Sequence, residues 1–173
     1  PRTLKMIEVA GIPVVELMDS QSPCLDIAVG FDNFEAARQM TAAIINHGHR
    51  HVAYLGARLD ERTIIKQKGY EQAMLDAGMT PYSVMVEQSS SYSSGIELMR
   101  QARREYPQLD GIFCTNDDLA VGQVMEPRLA SVLTPRERMG RIGAERLLAR
   151  IRGEAVTPKM LDLGFTLSPG GSI

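Results

Sequence analysis

The sequence has no tryptophan, four phenylalanines and two cysteines. So few aromatic rings leave little with which to stack nucleobases. Cys24 and Cys114 build no disulfide framework and stand in no metal-ligand spacing; two buried free thiols in a reducing compartment are the expectation. An excess of one charge sign is also missing, because 19 Lys and Arg face 21 Asp and Glu, for a formal net charge of −2. A chain that bound nucleic acid unaided would show a basic surplus. No apolar run approaches the roughly 20 residues of a membrane span, which points to a soluble protein with no membrane partner. Pro1-Arg2-Thr3-Leu4-Lys5 has neither an initiator Met nor an apolar signal core and reads as a chain that opens mid-protein. Gly-x-Ser-x-Gly, a Walker loop, Gly-x-Gly-x-x-Gly and any nucleophile–base pair are absent, so neither an enzyme nor a cofactor is expected.

What is present is alternation. The 173 residues are 44% hydrophobic and 23% charged, the mixture of a globular chain with a core of its own. Helical spacing over Arg2–Ala10 is followed by short apolar strands at Ile12–Leu17 and Leu25–Phe31. A helix carrying Phe34, Ala37, Met40, Ala43 and Ile44 then stops at Gly48. Further strands are expected at His51–Gly56, Val84–Val86 and Asp110–Thr115. Helices are expected at Arg62–Ala77, Gly95–Glu105 and Pro135–Ile151, with Ser89–Ser94 as a loop. Strand–helix alternation with short apolar strands means α/β architecture, parallel sheets with right-handed crossovers. The rhythm breaks once. After Gly122 a helix has only begun, yet Gln123–Pro127 reads as loop, and a parallel unit needs roughly 10 or more crossover residues. Residues are therefore expected to be missing between Gly122 and Gln123.

Sheets of this kind hold ligands outside the carboxyl ends of their strands. Asn116 and Asp117 stand at such an end, where helix capping would explain them equally well. Arg62 and Lys66 lie one helical turn apart and share a face, which suits either an anion or a solvated helix start. Glu16 falls late in an apolar strand, where acids are rare unless paired, and Asp19 follows just beyond. Asp32 precedes a helix that it could cap. Ser90 belongs to a Ser-rich loop. His47, His49 and His51 alternate, but no Cys or carboxylate stands beside them in ligand spacing, so no metal site is expected.

Several blocks carry a resemblance. Val29-Gly30-Phe31-Asp32-Asn33, Gly48–Gly56 (GHRHVAYLG), Lys66-Gln67-Lys68-Gly69-Tyr70, Asp110–Gly122 (DGIFCTNDDLAVG) and Pro127–Val132 (PRLASV) occur in that order along essentially the whole chain. Together they resemble the lactose/galactose-repressor (LacI/GalR) family. The resemblance implies two Rossmann-like lobes of periplasmic-binding-protein type, incomplete here, around an effector cleft. The lobes would be residues 1–31 with 132–158 and residues 32–131 with 159–173. A helix-turn-helix DNA-binding head would precede Pro1. Asn116 matches a position that contacts sugar effectors, and Lys66 one usually held by an Arg that clamps the effector. Asp32 matches a cleft-facing position. Met18 replaces a frequent Asp, for which Asp19 or Glu16 are the candidate substitutes. Ser90 stands where relatives carry a stacking aromatic, which suits a more polar ligand. The implied protein is the effector-binding and dimerisation core of a cytoplasmic transcription repressor. Its effector would be a sugar or sugar acid such as gluconate, and its partners operator DNA and a second copy of itself. An exported sugar-binding protein of a transport system shares the architecture and is the alternative.

Overall fold

The computed structural model describes residues 2–120 and 127–173. The proposed break after Gly122 therefore lies outside the described residues. The chain divides into two compact units, Pro1–Asp32 with Thr134–Phe165, and Asn33–Leu133 with Thr166–Ile173.

The first unit holds helix α1 (Arg2–Ala10), strands β1 (Val15–Leu17) and β2 (Ile27–Gly30), helix α6 (Arg136–Ile151) and strand β7 (Met160–Asp162). Its sheet is parallel throughout, in the order β1-β2-β7. All four residues of the central strand β2 are buried, as expected for a strand covered on both faces. Helix α6 closes on β1 at Gly143, where a Cβ would stand 2.8 Å from Leu17 Cδ2. Met139 of α6 is fully buried, and its sulfur accepts the Met18 N–H at 3.2 Å. Helix α1 forms as its spacing predicts, but Met6 is 63% and Val9 81% exposed, and only Ile7 among its described side chains is half-buried.

The expected lobe boundary at residue 158 is corrected here. Strand β7 pairs in register with β2, Ala28 opposite Met160 and Gly30 opposite Asp162, so residues 159–165 belong to the first unit. Phe165 stays with it by packing edge-on against Phe31, 6.4 Å between centroids.

The second unit holds α2 (Asn33–Asn46), β3 (Val52–Ala57), α3 (Glu61–Asp76), β4 (Tyr82–Val86), α4 (Tyr92–Glu105), β5 (Gly111–Cys114), α5 (Asp117–Ala120), β6 (Ser131–Leu133) and β8 (Thr166–Ser168). Its main sheet is parallel, in the order β4-β3-β5. The wholly buried β3 is flanked by two clusters. Ile44, Ile45, Tyr54, Tyr70 and Met74 form one, and Leu55, Val84, Leu98, Ala102 and Leu119 the other. Tyr54 and Tyr70 stack with centroids 5.7 Å apart. Helices α2 and α3 pack backbone to backbone at Gly69, where a Cβ would meet Phe34 O at 2.2 Å.

Two local expectations change. Strands β6 and β8 pair antiparallel, Ser131 opposite Ser168, a contact between distant segments that no local periodicity announces. Helix α4 begins at Tyr92, three residues earlier than its apolar pattern suggests. Ser91 is its N-cap, extended at φ −158° and ψ 164°, with its side chain accepting the Ser94 N–H, as hydroxyls at this position do. Both cysteines are free but only partly buried. Burial and the Asp117 carboxylate push the Cys114 thiol up to about 12, which leaves it protonated and unreactive at neutral pH.

Candidate functional site

Because β4, β3 and β5 run parallel, their carboxyl ends lie along one edge of the sheet, and α3, α4 and α5 begin there. Four of the residues singled out from the sequence enter this edge's hydrogen-bond network. Asn116 Nδ2 donates to Ser90 Oγ at 2.7 Å, and Asn116 Oδ1 accepts the Leu119 N–H at 3.2 Å. The side chain thus caps α5 and also points its amide nitrogen at the β4–α4 loop, so capping and site roles coexist. The cap fixes which amide atom is oxygen. Lys66 Nζ donates to Thr115 O at 3.1 Å, one residue before Asn116. Asp117 Oδ1 accepts from the Ser131 hydroxyl at 3.2 Å.

Arg62 is not drawn into this network. Its guanidinium stands 3.8 Å from Asp60 Oδ2, with the side chain 42% exposed. Asp60 is the N-cap of α3 and accepts the Thr63 N–H at 2.9 Å. Burial alone would raise its carboxyl. The Thr63 N–H and hydroxyl and the charges of Arg62 and Lys66 outweigh that, and hold it below the ordinary value. Beneath α3, the Tyr54 hydroxyl donates to Thr63 O at 3.0 Å, and burial pushes its pKa well up. The first turn of α3 is therefore fixed from below by a neutral phenol.

In the first unit the carboxyl ends of β1, β2 and β7 carry Asp19 and Asp32. Asp19 follows Met18, whose φ is 81°, and its Oδ1 accepts the Gln21 N–H at 3.1 Å. The Asp19 backbone passes directly over Gly30, where a Cβ would fall 2.3 Å from Asp19 N; only glycine permits that approach. Asp32 is half-buried at the end of the unit's first segment. Glu16 has a different occupation. Its Oε2 accepts the Leu25 N–H at 2.7 Å, which ties the loop before β2 to β1.

Three participants escaped sequence reasoning. Thr115 offers a backbone carbonyl, which no residue type signals. Ser131 is reached only through tertiary pairing. Asp162 accepts from Gln21 Nε2 at 3.3 Å and from the Gly164 N–H at 2.7 Å, and it was hidden with β7.

The three histidines stand near the opposite edge of the sheet and engage separate partners. His47 Nδ1 meets Ala43 O at 2.8 Å, His51 Nδ1 the Tyr106 hydroxyl at 3.1 Å, and His49 Nδ1 lies 3.9 Å from Asp110 Oδ1. Among the described residues no three His, Cys, Asp or Glu side chains form a group that could hold a metal ion, and no helix is long and apolar enough to cross a membrane.

Residues 1–135 match a family profile described as "Periplasmic binding proteins and sugar binding domain of LacI family". The chain belongs to the LacI family. This LacI-family chain is 81% identical to the HTH-type transcriptional regulator GntR of Escherichia coli (strain K12), over all of the chain and 60% of that regulator. It is 36% identical to the HTH-type transcriptional regulator IdnR of the same organism, over 99% of the chain and 60% of the relative. A solved structure of a transcription regulator GntR from Chromobacterium violaceum superposes with a TM-score of 0.89 at 28% identity, covering 97% of the chain and 72% of that structure. The two-lobed periplasmic-binding-protein architecture is thereby shown. The chain spans 60% of the length of the curated relatives it matches. The alignment with the Escherichia coli GntR occupies 200 positions against the 173 residues here, so 27 positions within the aligned stretch have no counterpart in this chain. These relatives are named as transcriptional regulators, which does not favour the transport-protein alternative.

Proposed function

We propose that this chain is the effector-binding core of a cytoplasmic LacI-type repressor of carbohydrate utilisation, and that the effector is a sugar acid, D-gluconate. The arrangement of Asn116, Ser90 and Lys66 at the carboxyl edge of the β4-β3-β5 sheet carries the reading. An amide and a hydroxyl side by side offer donors and acceptors to neighbouring hydroxyls of a polyol. A lysine ammonium at the same edge favours a carboxylate, though as a point charge rather than as the planar fork of an arginine. Asp117 and Arg62 complete the candidate set of this unit; Asp19 and Asp32, at the carboxyl ends of the other unit's strands, are candidate ligand contacts of that unit. Glu16, which also braces β1 through the Leu25 N–H, is a further candidate contact of that unit.

Effector binding regulates only if the ligand prefers one arrangement of the protein over another. In this reading the regulated protein is a homodimer whose two-fold axis matches a palindromic operator. The DNA contact belongs to a helix-turn-helix segment of the type that the Escherichia coli relative's name records. No catalytic step, metal or cofactor enters the reading. The likeness to that relative supports gluconate as the first ligand to try. Titration calorimetry of the full chain with D-gluconate, D-glucose and D-galactose tests it. Saturable heat from gluconate alone is the expected result, and heat from a neutral sugar with none from gluconate overturns it.

A further inference from the structure

We propose that Arg58 is the residue that receives the carboxylate of a sugar-acid effector, and so sets the preference for an acid over a neutral polyol. The proposal rests on the effector reading given above and assigns within it a residue that the candidate set lacks.

The position comes first. Arg58 is the residue after β3, the central strand of the second unit's parallel sheet. It therefore stands at the carboxyl edge, between the end of β4, which leads to Ser90, and the end of β5, which leads to Asn116. Its backbone N–H donates to Val86 O at 2.9 Å, which fastens it to the end of β4.

The conformation is the second observation. Arg58 has φ 73° and Leu59 has φ 24°. Two successive non-glycine residues in the left-handed region oppose the steric preference of L-residues. Glycine would take these angles freely, yet an arginine and a leucine stand here. Strain of this sort persists where the surroundings impose it, and it concentrates at ligand-binding loops.

The third observation is the use of the neighbouring cations. Lys66 donates to Thr115 O, and Arg62 lies against Asp60. Arg58 is exposed, and its guanidinium makes no hydrogen bond or ion pair with another described residue. The nearest acids along the chain and across the strand register, Asp60 and Glu87, do not pair with it. A planar, permanently charged fork at the strand ends is the group suited to bind both oxygens of a carboxylate at once. Lys66, already bonded to a carbonyl, supplies charge nearby but no such fork.

The test is calorimetry of the full chain and three variants with D-gluconate and with D-glucitol, the same carbon chain without the carboxylate. Arg58→Gln is expected to weaken gluconate binding by about 10- to 100-fold, the range for losing a charge-assisted pair of hydrogen bonds. Arg58→Lys is expected to fall between Gln and the parent, and glucitol affinity to change by less than about twofold. Arg58→Gly separates binding from folding. It accepts the positive φ without strain, so its melting temperature should equal or exceed the parent's while gluconate binding falls as in Arg58→Gln. Parental gluconate affinity in Arg58→Gln or Arg58→Gly overturns the assignment alone, as does an equal loss for both ligands. Absence of gluconate binding by the unmodified chain overturns the effector reading and this assignment together.

Discussion

Replacing Gly95 by alanine tests how the two halves of the candidate network are held together. Gly95 lies in the first turn of α4, four residues after the Ser91 cap, and packs against α5. A Cβ at this position would stand 2.2 Å from Leu119 O, 3.0 Å from its carbonyl carbon and 3.2 Å from its Cα. An ordinary carbon–oxygen contact is longer by about 1 Å, and all three atoms are backbone, so α4 and α5 must separate by roughly that much. Overpacking of this kind costs ~1–3 kcal/mol. Alanine in a helix recovers ~1 kcal/mol relative to glycine, leaving a net loss of ~0–2 kcal/mol. The larger effect is local. Ser90 on the α4 side and Asn116 on the α5 side are joined by a bond of 2.7 Å. A displacement of about 1 Å takes that pair beyond hydrogen-bond range and moves the Asn116 amide off its line. Gly95→Ala should therefore bind the effector about 10-fold more weakly by calorimetry, with a modest loss in urea unfolding. Gly140→Ala on α6 is the matched control, because nothing stands within 4 Å of its added Cβ; it should stabilise by ~0.5–1 kcal/mol. If Gly95→Ala gains stability like Gly140→Ala and binds effector normally, the argument from close approach is wrong.

Two further outcomes follow from the same structure. Gly69→Ala places a Cβ 2.2 Å from Phe34 O between two long helices that cannot yield as a four-residue helix can, so it should destabilise by ~2 kcal/mol or more in denaturant unfolding; a stabilised variant would refute the packing. Asp110 sets an acid limit. Burial would raise its carboxyl, but the N–H groups of Arg50 and His51, with His49 and His51 nearby, bring it below the ordinary value. Its folded pKa thus lies under the unfolded value of about 3.9. The contribution is complete above that value and is lost as pH falls through the folded one. Melting temperatures measured from pH 6 down to pH 2.5 should therefore fall less steeply for Asp110→Ala than for the parent, and equal slopes would remove Asp110 from the account.

Much of the framework could be read from residues alone. Short apolar runs such as Ile27–Gly30 and Val52–Ala57, bounded by turn residues, read as strands buried on both faces. Parallel alternation then puts the residues that follow them at the carboxyl edge of the sheet, where Asn116 and Asp117 stand. Local periodicity could not show where a short segment pairs. Met160–Asp162 has no pattern of its own and becomes a strand only beside β2, and Ser131–Leu133 only beside Thr166–Ser168.

The sequence by itself therefore determined the α/β class, which follows from hydrophobic patterning, and its ordered motif blocks carried the resemblance to the LacI family. The tertiary structure decided what each polar group does. Ser90 meets Asn116 across 26 residues and Lys66 meets Thr115 O across 49. Whether such groups touch depends on strand register and on helices approaching at glycines. Glu16, late in β1, meets the Leu25 N–H by the same rule. Arg58 gained its interest from a left-handed backbone that residue type would have assigned to glycine.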